Sequence, residues 1–104
     1  MKFKPTVGFQ SASLQGYVSV SYQELITVFG LPTDDGDGYK VDARWKLTFE
    51  DGTHATIYNY KDGKNYEGSD GLDVEDIDEW HVGGAWSHAV QCVGNLLNVP
   101  YSIV

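Results

Sequence analysis

Asp42-Ala43-Arg44-Trp45-Lys46-Leu47-Thr48-Phe49-Glu50-Asp51-Gly52-Thr53-His54-Ala55-Thr56-Ile57-Tyr58-Asn59-Tyr60 is the stretch on which the fold turns. From Asp42 to Glu50 the side chains alternate. Ala43, Trp45, Leu47 and Phe49 fall on one face, and Arg44, Lys46 and Thr48 on the other, so the segment reads as a half-buried strand of period two. Glu50-Asp51-Gly52 reads as a turn, and Thr53 to Tyr60 as the returning strand.

The turn chemistry offers two registers. A two-residue Asp-Gly loop pairs Phe49 with His54 and puts Tyr58 and Tyr60 on the Trp45 face. A type I turn followed by a glycine bulge pairs Phe49 with Thr53 instead. A slip of one residue inverts every side chain. The second register sets Ala55 and Ile57 beside Leu47 and Trp45, which makes the apolar face more uniform and is therefore preferred. It leaves His54, Thr56, Tyr58 and Tyr60 on the outer face with Arg44 and Lys46.

Outward from the hairpin, Ser21 and Glu24 have the spacing of a capping box before Leu25, with Val20 and Leu25 placed as a hydrophobic staple. The helix should run Tyr22–Phe29 and end at Gly30 in the left-handed region. Leu31 should fold back on Ile26, and Pro32 forbids continuation. Tyr17 to Val20 reads as a short strand, with residues 7–14 as a weak candidate to pair with it. Residues 61–79 read as a long acidic loop, and Trp80-His81-Val82 as a third strand of the meander, spanning about 79–83. From Ala85 to Asn98 apolar residues cover more than half of the circumference, so that helix should be buried on more than one side. The apolar tail from Val99 to Val104 should dock on the body or on another subunit.

The fold class is therefore α+β: one domain over residues 1–104, with an antiparallel three- to four-stranded sheet. A short helix in the N-terminal half and a C-terminal helix pack on the sheet. Trp45, Leu47, Phe49, Ile57, Trp80, Val82, Val90, Val93, Leu96 and Leu97 are the expected core. A chain of 104 residues with 41% hydrophobic residues, including seven Tyr, four Phe and three Trp, is rich enough for such a core.

Charge narrows the function. Fifteen Asp and Glu against seven Lys and Arg give a net charge of −8. A field of that sign repels phosphate backbones and suits a basic protein surface. No direct nucleic-acid partner is expected. Acids concentrate in two places: Asp34, Asp35 and Asp37, then Glu67, Asp70, Asp73, Glu75, Asp76, Asp78 and Glu79. Solvated loops are the plain account of both. The functional account is a docking surface whose carboxylates take the place of phosphates on a nucleic-acid-binding protein. Tyr58 and Tyr60 are its candidate aromatic anchors, because Tyr is enriched at interfaces.

Other chemistries fit less well. With Gly38 at position 6 of a calcium loop, Asp35 and Asp37 fall at positions 3 and 5, but Thr33 falls at 1 and Arg44 at 12, where a bidentate acid is required. His88 and Cys92 share a helix face and with His54 or His81 would make a zinc set. Cys92 among Ala89, Val93 and Leu96 reads instead as a small hydrophobe. No metal and no cofactor are expected. Gly83-Gly84 between a strand and a helix suggests an anion site, with His81, Arg44 and Lys46 as neighbours for a small anionic or nucleotide ligand. A tight turn is the plainer reading. Serine lacks an elbow motif and no carboxylate pair has a fixing spacing, so an enzyme is not expected.

The lone cysteine suits a reducing compartment. Met1-Lys2-Phe3-Lys4-Pro5 is followed by no apolar run, and no stretch approaches the ~20 apolar residues of a membrane span. No membrane partner is expected, and the cytoplasm is the expected location. The C-terminal helix and tail offer a homodimer surface. Two stretches resemble short bacteriophage reading frames: Val28-Phe29-Gly30-Leu31-Pro32, and Glu79-Trp80-His81-Val82-Gly83-Gly84 with the helix behind it. With the Phe49–Thr53 hairpin they span about residues 20–97. The resemblance implies small acidic phage proteins as the reference class, many of which inhibit host nucleases and defence complexes. It carries over no functional residue.

Overall fold

The computed structural model describes residues 2–6, 13–34 and 40–104. In chain order these form β1 (Phe3–Pro5), β2 (Ser13–Ser19), α1 (Tyr22–Phe29), β3 (Arg44–Phe49), β4 (His54–Tyr58), α2 (Lys64–Glu67), β5 (Glu79–Gly84), α3 (His88–Leu97) and β6 (Tyr101–Ile103). The strands make one antiparallel sheet of order β1-β3-β4-β5-β2-β6. The α+β class and the β3-β4-β5 meander agree with the sequence reading, but the sheet has six strands rather than three or four. The extra strands have physical reasons for being hard to read. β1 and β6 are three residues long, too short to show a period of two. β2 begins at Ser13 rather than Tyr17, because its register shifts between Leu14 and Gly16 and the bulge breaks the alternation. Residues 7–12 lie outside the described residues, so the pairing expected of 7–14 concerns only Ser13 and Leu14, which belong to the same strand as Tyr17.

The hairpin takes the bulged register. Leu47 faces Ala55, Trp45 faces Ile57 and Thr48 faces His54. The Gly52 amide donates to Phe49 O (2.9 Å), closing the turn, and the Phe49 amide donates to Thr53 O (2.8 Å). Gly52 has φ +88°, the left-handed bulge position that a residue with a Cβ occupies only at a cost. One face of the sheet thus carries Trp45, Leu47, Phe49, Ala55, Ile57, Trp80 and Val82, all buried. Trp45 and Trp80 meet edge to face at 5.4 Å, and Tyr22 of α1 stacks on Trp80 at 6.2 Å.

Both long helices close this face. Ser21 caps α1, its Oγ accepting from the Glu24 amide at 3.1 Å. Leu25 and Phe29 face inward. Gly30 has the positive φ expected of it (+83°), but with a ψ of −163° it does not take the left-handed helical cap conformation, and the chain turns outward. Leu31 is therefore 80% exposed and does not fold back on Ile26. α3 starts at His88, three residues later than expected. Gly83 and Gly84 continue β5, and Ala85-Trp86-Ser87 makes the turn, leaving Trp86 67% exposed. Its buried residues are Ala89, Val90, Cys92, Val93 and Gly94; Leu96 and Leu97 only flank the core. The tail docks on the body. The Ser19 amide donates to Pro100 O and the Val104 amide to Gln15 O, each at 3.0 Å, and Tyr101–Ile103 pairs with β2.

Residues 61–79 are not a plain loop. α2 and two 3-10 turns (Gly68–Asp70 and Val74–Asp76) occupy most of the segment, and Ile77 anchors it in the core. Asn59, fully buried, ties its start to the chain entering β3. The Asn59 carboxamide oxygen accepts from the amides of Asp42 (2.7 Å) and Ala43 (3.1 Å). Its Nδ2 donates to the carboxylates of Asp42 and Asp62, each at 3.0 Å. Asp42 in turn accepts from the Asn65 amide (3.2 Å). No helix among the described residues is long and apolar enough to cross a membrane.

Candidate interaction surface

The sheet face opposite the helices is built from the residues that the alternation sends outward. Pairing aligns Arg44, Tyr58, His81, Tyr17 and Ser102 in one row across β3, β4, β5, β2 and β6. His81 sits at the centre of an aromatic cluster. Its ring lies 5.0 Å from Tyr17, 5.3 Å from Tyr58 and 6.0 Å from Tyr60. Tyr60 is 41% exposed, while Tyr17, Tyr58 and His81 are half-buried. Lys61 extends the cluster, its Nζ lying 5.3 Å above the Tyr60 ring and 5.4 Å above Tyr66.

Electrostatics in this patch favour neutral rings. Burial lowers the His81 pKa, against the opposing pull of the Asp62 and Glu79 carboxylates, and the buried His81 Nδ1 has no hydrogen-bond partner. Burial raises the Tyr58 pKa, and the neighbouring Tyr17 and Tyr60 push the same way. At neutral pH the His81 and Tyr58 rings at the centre of the row are therefore uncharged. Glu79 borders this aromatic strip on β5, and Arg44 and Lys46 lie on β3. The strip is not wholly open, because Thr56 on the same face is only 5% exposed.

Glu79 joins the strip to the acids. Asp70, Asp73, Glu75, Asp76, Asp78 and Glu79 are all exposed. Of these, Asp73 pairs with Lys64 at 3.2 Å. Asp78 and Glu79 also line a shallow groove of about 420 Å³ with Ser19, Val20, Ser21 and Glu24. That groove carries three carboxylates, two hydroxyls and no basic residue, which suits a lysine or arginine side chain.

The first acidic segment behaves differently. Asp34 is held by Arg44 in a two-point contact (2.9 and 3.2 Å), with Lys46 Nζ 3.9 Å away. Its charge is thus largely met from within the chain. Asp35 and Asp37 lie outside the described residues.

The small-anion site comes apart in three dimensions. His81 and Arg44 share the outer row, but Gly83 and Gly84 are buried in β5. A Cβ on Gly84 would sit 2.7 Å from the Ala89 Cβ, so α3 fills the space where an anion would need to approach. α3 also begins four residues beyond Gly84. Gly84 serves close helix–sheet packing, and Arg44 and Lys46 are committed to Asp34. The zinc set is also redrawn: neither His54 nor His81 joins His88 and Cys92, whose neighbour is Asp51. His54 Nδ1 instead meets Thr48 Oγ1 at 2.8 Å.

Tyr17, Asp62 and Glu24 belong to this surface although sequence reasoning did not single them out. Tyr17 carried a signal, since it alternates with Val18. Glu24 was legible only as a cap, and Asp62 comes near His81 only through the turn after β4. No family model, curated protein or solved structure matches the chain.

Proposed function

We propose that this protein is a non-enzymatic binding module that docks on a basic protein surface, and that it acts as an inhibitor of the small acidic phage type in the cytoplasm. The observation that carries the proposal is continuity. Glu79 lies on the same face of β5 as His81 and so borders the Tyr17–His81–Tyr58–Tyr60 strip, and the exposed acids of 70–78 lead directly into it along the chain. An aromatic centre with a polar, charged rim is the usual anatomy of a protein interface. A partner whose groove binds nucleic acid, such as a host nuclease or defence protein, presents the complementary lysines and arginines. The acids then stand where phosphates would. Asp34 contributes by fixing Arg44 and Lys46 rather than by touching the partner.

Affinity capture from a bacterial lysate at low and high salt identifies the partner. Against that partner, replacing Glu75, Asp76, Asp78 and Glu79 together by lysine is expected to weaken binding about 100-fold at low salt. The loss should shrink near 1 M salt, where the Debye length falls to about 3 Å. Unchanged affinity and unchanged salt dependence in that variant would eliminate the docking model.

A second reading rests on β6, an edge strand whose Tyr101 and Ile103 are 40% and 45% exposed. A free edge can pair with a second copy. Sedimentation velocity over a hundredfold concentration range is expected to show a concentration-dependent dimer if this edge is used; a monomer throughout removes the idea.

A further inference from the structure

The turn between β3 and β4 reaches the first turns of α3, and three different donor types meet there. Asp51 comes from the turn; His88 and Cys92 come from α3, one helical turn apart. His88 Nε2 lies 3.1 Å from Asp51 Oδ2. A carboxylate oxygen of Asp51, a ring nitrogen of His88 and Cys92 Sγ all fall within 4.8 Å of one another. Beside them is a cavity of about 320 Å³ lined by His88, Cys92, Asn95 and Leu96.

We propose that Asp51, His88 and Cys92 form a binding site for a divalent ion of the zinc class, which pins the β-hairpin to the C-terminal helix. The distances suit the ion. Bonds of about 2.0–2.1 Å to oxygen and nitrogen and about 2.3 Å to sulfur put tetrahedral ligands roughly 3.3–3.6 Å apart. The oxygen–nitrogen pair is already near that spacing, and a side-chain adjustment on the order of 1 Å brings in the sulfur. The surrounding contacts hold the ligands in place. The Thr53 amide donates to Asp51 Oδ1 at 2.9 Å, which orients the carboxylate and leaves Oδ2 toward His88. Gln91 Oε1 lies 3.2 Å from His88 Nδ1 and accepts its proton, which leaves Nε2 for the metal. Such outer contacts orient metal-binding histidines generally.

A mixed oxygen, nitrogen and sulfur set selects zinc over the oxygen-seeking calcium and magnesium that the acidic loops would attract. Binding releases the Cys92 thiol proton, and the proton held between His88 and Asp51, to solvent. One carboxylate and one thiolate then balance the two positive charges of the ion. The fourth position faces the cavity and is left to water. Zinc finds this site through Asp51, which sits on the turn that the bulged register places against α3.

The test is a titration of the reduced, chelator-treated chain with cobalt(II) and then zinc(II). One equivalent of cobalt is expected to give a sulfur-to-metal charge-transfer band with tetrahedral ligand-field bands, both lost on adding one equivalent of zinc. Zinc should also raise the thermal midpoint. His88→Gln and Asp51→Asn change exposed side chains, and each should weaken binding at least about tenfold. Cys92→Ala should abolish the charge-transfer band. A wild-type titration without that band overturns the proposal. So does unchanged affinity in the His88 and Asp51 variants, the result expected of an ion held by the acidic loops.

Discussion

Replacing Asn59 by alanine is expected to lower the unfolding free energy by about 3 kcal/mol or more, measured by urea denaturation. Asn59 is fully buried, and its side chain makes four hydrogen bonds. Removing it strands the amides of Asp42 and Ala43, and a buried unsatisfied donor costs about 1–3 kcal/mol. It also leaves the Asp42 and Asp62 carboxylates facing each other without the amide between them. Asn59→Asp separates the two contributions. It keeps an acceptor for the backbone amides but sets a third carboxylate 3.0 Å from each of the other two oxygens. Its deficit should be largest at neutral pH and shrink as the pH falls through the carboxylate range, because protonation removes the repulsion. An alanine variant within about 0.5 kcal/mol of wild type would show that the latch is dispensable, since that is the ordinary range of surface changes.

Gly16→Ala is expected to cost about 3 kcal/mol, at the upper end of typical overpacking, and to loosen the C-terminal strand. A Cβ at position 16 would lie 2.1 Å from Ser102 O and 3.0 Å from a Val90 methyl. Backbone cannot yield as a side-chain tip does, so β6 or α3 must move. The direct readout is chymotrypsin cleavage at Tyr101, which should become faster in the variant while the rest of the chain stays resistant. Removing residues 101–104 supplies a cycle. If the clash with β6 is the whole cause, truncation and Gly16→Ala together should cost little more than truncation alone. Full additivity would assign the loss to Val90 and α3.

What the sequence disclosed follows from where local chemistry decides the structure. The hairpin was legible because Trp45, Leu47 and Phe49 alternate with charged residues and because Asp51-Gly52 restricts the turn. α1 was legible from Ser21, Glu24 and Gly30, each acting within a few residues. The failures share a cause. Phe3–Pro5 and Tyr101–Ile103 are strands only because a distant edge accepts them, and three residues carry no period. Trp86 fits a helical period but sits on the turn, because tertiary pairing extends β5 through Gly84. The surface divides in the same way. Exposure of the 70–79 acids was readable from composition. The neutralisation of Asp34 by Arg44 and the gathering of Tyr17, Tyr58 and Tyr60 around His81 depend on which strands become neighbours. Asn59 follows Ala55 and Ile57 in the inward alternation and carries no local signal of its own; its role appears only when Asp42 and Asp62 arrive from two other segments.

The strand order has a consequence for how the molecule is made. β2 is synthesised early, yet both its neighbours come late: β5 at residues 79–84 and β6 at 101–103. Until then β2 has unpaired edges on both sides, while the β3-β4 hairpin can already close from local contacts. The order of assembly is therefore set by sequence separation, with the hairpin first and the β2 seam last. A nascent or partly unfolded chain would present β2 as an open seam. It is the segment where chaperone capture or strand exchange between copies should begin.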